Sequence, residues 1–309
     1  MSTSFGWKRC CLFFALAMAV LSLACCGERA GTGGASASGD DPAKAGWPEV
    51  VRLGLIPSEG GADIVDRFAP LGAHLEARLG RPVRVSSASE YVGVITAMRN
   101  KQIDIAYFGP KSYIEAHRMA GAVAVAKELN ELGEEGYYAI IITRHDTGLR
   151  TLADLAGKTV GFVTPNSTSG YLLPSLGVIE ATGMKPEDFF GQVRYTGTHG
   201  NAIQAVLAGD LLAAAANTLD LAAMVRSGLD ASPLVEVWRS ELIPSSPIAV
   251  RGDLPVSFQD AVRDALVDFT IESQSLDKMA RGGFLPADDA EYDIIRVLEQ
   301  QHRELIGGP

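Results

Sequence analysis

Three hydroxyl side chains stand in succession in TPNSTSGYLLP, residues 164 to 174: Ser167, Thr168 and Ser169, with Gly170 directly after them. Such a run can supply a nucleophile, line a phosphate cradle or start a helix. Pro165 and Asn166 make a turn, the hydroxyls can cap the helix that follows, and Gly170 permits close backbone approach. At a helix N-terminus several N–H groups lack partners and the helix dipole is positive, which favours an oxyanion there. Three hydroxyls add donors able to turn toward a tetrahedral anion. One would suffice for a cap, so capping and anion binding both stand at this point.

A serine nucleophile needs a base and an orienting acid. His199, in YTGTHGNAIQAV, sits in a loop between a strand and a helix start, but N-S-T-S-G is not the G-x-S-x-G elbow and no acidic orienter is evident. A phosphoesterase using Ser167 or Ser169 with His199 is the enzymatic alternative, and it predicts turnover of a phosphate ester. Gly157-Lys158-Thr159 is not a nucleotide loop, because position 152 is Leu where that motif needs glycine. The matches Arg251-Gly252-Asp253 and Asn166-Ser167-Thr168 are of a kind common by chance. Five scattered histidines, with no H-E-x-x-H, paired C-x-x-C or EF-hand pattern, predict a protein without metal or cofactor.

The elements that must position these residues alternate in type. VRLGLI (51–56), VRVSSA (83–88), IDIAYFG (103–109), YYAIIIT (137–143) and TVGFV (159–163) read as strands. Ile64, Phe68, Leu71, Leu75 and Leu79 mark one face of a helix over 63–79, which Pro70 should kink or split. LRTLADLAG gives a short helix stopped near Gly157, and a further helix spans about 170–181 and ends at Gly183. A strand near 193–197, a helix over 201–207, the period-ambiguous LLAAAAN (211–217) and VEVWR (235–239) follow, and the last 55 residues look helical. Strand and helix in alternation over this length predict an α/β protein of two lobes.

A length of 309 residues with 47% hydrophobic and 21% charged residues predicts a globular body. Residues 1–24 read as a signal peptide, with Lys8 and Arg9 before a short apolar stretch, and LSLAC resembles a lipobox in which Cys25 is acylated. Cys26 is the competing site, and an uncleaved anchor the bland alternative. Residues 25–48 then form a lipid-attached tether rich in Gly, Ser and Ala. All four cysteines (10, 11, 25 and 26) lie in this region, so the body has neither disulfide nor thiolate chemistry. Loss of Lys8 and Arg9 takes the formal charge from −10 to −12, against any nucleic-acid surface.

TPNSTSGYLLP, YTGTHGNAIQAVLAGDLLAAAANT, LIPSSPIAV and EYVGVITAMRNKQIDIAYFGPKSY together resemble the phosphonate, phosphite and phosphate-binding components of bacterial ABC importers. The resemblance implies a type II periplasmic-binding-protein fold, two α/β lobes joined by a hinge with the ligand in the cleft. On that basis residues 49–142 plus 245–309 make one lobe and 143–244 the other. It implies delivery of a small phosphorus oxyanion to a permease powered by a separate ATPase, by a monomer anchored through Cys25. It places ligand contacts on Ser167, Thr168, Ser169, Tyr91, Tyr137 and His199, with Asn217 and Ser246 in the flanking motifs. Two departures stand out: Leu219 and Ser246 occupy positions where the family offers carboxylates. An amine-recognising pocket is therefore not expected unless Asp220 turns inward. Phosphite, phosphate or a short alkylphosphonate remain the candidate ligands, and a sensor feeding a membrane kinase is the alternative use of the same fold.

Overall fold

The structure, a computed structural model, describes residues 41–58, 60–269, 279 and 282–307; the signal segment, Cys25 and most of the tether lie outside the described residues. Two mixed sheets carry the described chain. The first takes β1 (Val51–Leu55), β2 (Val83–Ser87), β3 (Ile105–Tyr107), β4 (Ala122–Leu129), β10 (Pro247–Arg251) and β11 (Gly283–Pro286) in the order β11-β4-β10-β3-β1-β2. The second takes β5 (Ala139–Arg144), β6 (Thr159–Phe162), β7 (Gln192–Tyr195), β8 (Ala213–Asn217) and β9 (Leu234–Arg239) in the order β7-β6-β8-β5-β9. In both, strands joined through helices run parallel and the strands that enter from the other sheet run antiparallel.

Helix α1 (Gly61–Leu79) turns the expected face inward: Ile64, Phe68, Leu71, Leu75 and Leu79 are all buried. It runs unbroken through Pro70, whose missing N–H costs the helix one bond without splitting it. The alanine run becomes β8, a central strand between β5 and β6 whose residues are all buried. Burial on both faces is why its sequence shows no period.

Three expectations are corrected. The lobe boundary at 142 puts all but the last residue of YYAIIIT in the first lobe, yet β5 pairs antiparallel with β8 and β9, so the chain leaves the first sheet between Leu129 and Ala139. An apolar run marks a strand but not its sheet. The C-terminal stretch is not wholly helical: after α8 (Val256–Val267) it returns through β11 onto β4 before α9 (Asp293–Ile306). The four residues of β11 are too few to show a period. His199 is not a loop residue, because Thr198 caps a helix in which His199 is the first residue.

Candidate functional site

Five helix-starting segments that follow strands of the two sheets bring their first residues to one place. Tyr91 opens α2 (Tyr91–Arg99) after β2, and Gly109 precedes α3 (Pro110–Ala120) after β3. Ser167 caps the helical segment α4, a π-turn Thr168–Leu172 continued by Leu173–Thr182, after β6. His199 opens α6 (His199–Ala208) after β7, with the short α5 (Pro186–Phe189) lying earlier in that crossover, and Asn217 caps α7 (Thr218–Arg226) at the end of β8. Ligand crevices in open α/β sheets lie outside the carboxyl ends of strands, where these turns converge.

The residues enclose a cavity of about 20 Å³. All eight candidate positions line it: Tyr91, Tyr137, Ser167, Thr168, Ser169, His199, Asn217 and Ser246. So do Ile56, Ser58, Tyr107, Gly109, Leu219 and Asp220, which the sequence reading did not name as contacts. No Lys or Arg is among them. Attraction for an anion in this cavity therefore falls to aligned peptide dipoles and neutral donors.

The serine-threonine turn is held from both sides. Ser167 Oγ accepts from Gly170 N–H at 2.9 Å, so this hydroxyl is an N-cap, and Thr168 Oγ1 accepts from the Lys111 N–H of α3 at 2.8 Å. Gly170 is needed because a Cβ there would lie 2.4 Å from Val163. The π-turn widens the start of the helix, a geometry often met at functional sites.

His199 Nε2 lies 3.4 Å from Ser167 Oγ and 3.3 Å from Ser169 Oγ. Its Nδ1 is buried with no hydrogen-bond partner among the described residues. Burial pushes its pKa below the ordinary value, with Asp220 acting in the opposite sense, so the ring is neutral at neutral pH. Burial likewise pushes the Tyr137 phenol up, with Glu128 acting in the same sense, so Tyr137 keeps its proton as a donor. Tyr137 sits where the chain crosses between sheets and pairs there with Ile243.

Asp220 does turn inward. It is 3% exposed and lines the cavity, where Leu219 offers only apolar surface. Its Oδ2 accepts from Asn217 Nδ2 at 2.7 Å, and Ser58 Oγ donates to its Oδ1 at 3.4 Å. Ser58, at the end of β1, also accepts the His199 N–H at 2.7 Å through its carbonyl, a direct bond between the two halves. The signal that could have found Ser58 and Gly109 is their place just beyond the carboxyl ends of strands.

Residues 53–292 match the family described as ABC transporter, phosphonate, periplasmic substrate-binding protein. The chain belongs to this family. Its members are periplasmic and hand a small molecule to a membrane permease and its ATPase. Among relatives, the phosphate-import protein PhnD of Mycolicibacterium smegmatis is 31% identical over 275 residues, 81% of this chain and 85% of that one. The phosphonates-binding periplasmic protein of Escherichia coli is 30% identical over 258 residues, 81% of this chain and 76% of that one. A crystal structure of a binding-protein component of an ABC phosphonate transporter from Pseudomonas aeruginosa superposes with a TM-score of 0.78 at 26% identity, covering 83% of this chain and 87% of that chain. These matches establish the type II periplasmic-binding-protein fold of this family member, with two α/β lobes flanking a ligand cleft.

Proposed function

We propose that the chain is the extracytoplasmic receptor of an ABC importer and holds a compact phosphorus oxyanion, phosphite, phosphate or a short alkylphosphonate, between its two sheets. The observation that carries this reading is the convergence of five helix N-termini on one enclosed cavity with no cationic side chain in its wall. Such a wall favours an anion and binds it reversibly through neutral donors. In this reading Ser167, Thr168, Ser169, Tyr91, Tyr137, His199 and Asn217 contact the ligand, with Ser246 completing the wall. His199 Nδ1 is the buried group left for a ligand to satisfy.

The residues at the two family carboxylate positions, Leu219 and Ser246, line the cavity without a charge, which supports a ligand without an aminoethyl arm. Asp220, turned inward, is the one carboxylate in the lining that could meet an amine, but its Oδ2 and Oδ1 already accept from Asn217 Nδ2 and Ser58 Oγ, and in this reading its remaining lone pairs take a ligand O–H. Binding without catalysis is supported by the histidine. Asp220 lies 4.0 Å from Nε2, the nitrogen already facing the serines, while Nδ1 has no acid to orient it. Acylation at Cys25, a flexible tether and a monomeric body complete the proposal.

Calorimetric titration of the purified body with phosphite, phosphate, methylphosphonate and aminoethylphosphonate tests it. One-to-one binding of a compact oxyanion without turnover is expected. Tightest binding to the amine compound would sink the ligand assignment, and hydrolysis of a phosphate ester would sink the receptor reading.

A further inference from the structure

A second concave surface shares no lining residue with the oxyanion cavity. The later turns of α4, helix α9 and the stretch from Trp238 to Pro244, where β9 ends and the chain crosses toward β10, border a groove of about 760 Å³. That is room for a small organic molecule. Its walls are apolar: Leu176 comes from α4, Trp238 and Leu242 from the crossing stretch, and Ile294 and Leu298 from α9. Trp238 is seated closely against α4, since a Cβ on Gly177 would stand 2.3 Å from its ring. Leu242 and Ile294 are 55% and 51% exposed, so apolar surface is left to water along one continuous groove.

The charge in this groove has one sign. Glu180 and Glu241 line it, both exposed and neither in an ion pair among the described residues, and no Lys or Arg is in the lining. The cations on adjoining residues are held elsewhere. Lys185 donates to the Ile306 carbonyl at 2.9 Å, Arg239 pairs with Glu236, Arg296 with Asp289 and Asp293, and Arg303 with Glu299.

We propose that this groove is a binding site for a small cationic amphiphile, its apolar body lying along Leu176, Trp238, Leu242, Ile294 and Leu298 and its positive head held by Glu180 and Glu241. Apolar contact supplies the affinity, and the carboxylates set the choice of charge. An anionic amphiphile of equal length would bring its head to two carboxylates that no cation in the lining offsets. A second copy of the chain carries the same formal charge of −10, which disfavours it as the occupant. The site takes a charge opposite to that of the oxyanion and stands independently of the oxyanion reading.

Trp238 reports on the site directly, because Trp47→Phe leaves it the only tryptophan of residues 25–309. The test is titration of that variant with decyltrimethylammonium, and separately with decanoate, below their micelle-forming concentrations, followed by Trp238 fluorescence. The cation should saturate at one probe per chain, and decanoate should bind at least about tenfold more weakly. That preference should shrink in high salt. Glu180→Gln and Glu241→Gln should each weaken the cation by about fivefold, the upper value for an exposed ion pair. Ile294→Lys, which sets a positive charge in the groove, should abolish its binding. Circular dichroism checks that the variants fold; should Ile294→Lys fail to, the two glutamine variants decide. Equal affinity for the two probes, or no saturable response to either, overturns the proposal. So does a chain that sediments as a dimer and is dispersed by the probe, since the groove would then be a contact between copies.

Discussion

The Asn217 amide donates to the Asp220 carboxylate across 2.7 Å, and the Asp220 N–H returns a bond of the same length to Asn217 Oδ1. The pair caps α7 and at the same time fixes a carboxylate in the wall of an anion site. Asp220→Asn keeps the backbone half of this cap while removing the charge. We expect phosphite affinity to fall about tenfold, the scale of one charge-assisted hydrogen bond, and sulfate binding to appear. Titration of the variant with both anions checks this; a variant with unchanged selectivity would return Asp220 to a purely capping role.

Thr168 joins the halves through its hydroxyl, which accepts the Lys111 N–H at 2.8 Å. Thr168→Val keeps the shape but leaves that buried N–H without its acceptor, and should cost about 1–3 kcal/mol of stability in urea unfolding. Thr168→Ser should restore most of it. In thermal shift assays, ligand stabilisation should shrink in the valine variant alone.

Gly170 should tolerate no side chain. A Cβ there would meet Val163 at 2.4 Å and Ser167 Oγ at 2.9 Å, so Gly170→Ala must push the turn away from the cavity. The overpacking should cost about 1–3 kcal/mol and remove oxyanion binding, read by unfolding and titration on the same preparation.

Two buried histidines predict an acid-sensitive apo protein. His199 and His302 both have pKa values lowered below 6.5, chiefly by burial. The unfolded chain therefore binds more protons than the folded one as pH falls past 6.5, and stability is lost in the window from there down to the folded values. Above 6.5 both forms are neutral and this contribution is flat. The Tm of the ligand-free body should drop between about pH 7 and about pH 5, and His199→Gln should reduce that drop. His302 donates or accepts at 2.8 Å with Ser175, so His302→Gln keeps a polar partner there and reduces it separately.

Much of the site was legible because its residues announce helix starts. Ser167, Asn217 and the T-H-G-N segment are polar residues between a strand and an apolar-periodic run, and the family resemblance tied them together. Tyr107 was hidden, since it lies in a strand, where alternation shows facing but not what lies opposite. Asp220 was ambiguous from sequence because an acidic residue three positions after an Asn cap is also an ordinary capping arrangement. The first crossing was hidden for a similar reason: β5 is an apolar run that fits either sheet, and only its pairing with β8 and β9 distinguishes them.

A contact just outside the cavity joins elements of the two sheets. Asn166, beside the capping Ser167, donates to Glu115 Oε2 of α3 at 2.6 Å, and Glu115 also pairs with Lys111, which lies 3.4 Å from Glu299 of α9. This network links the turn of the second sheet to a helix of the first without touching the cavity. Removing it should leave ligand entry unchanged and speed escape, because the bond strengthens only the closed form. Asn166→Ala should raise koff about tenfold to a hundredfold, the value of one hydrogen bond to a charged group, with kon within twofold of wild type. Stopped-flow fluorescence can follow both rates. In a double-mutant cycle with Glu115→Ala, coupling should appear in ligand affinity and be absent from ligand-free stability. Equal coupling in both would mean that the contact persists when the cleft opens, and would make it a support of the fold rather than of closure.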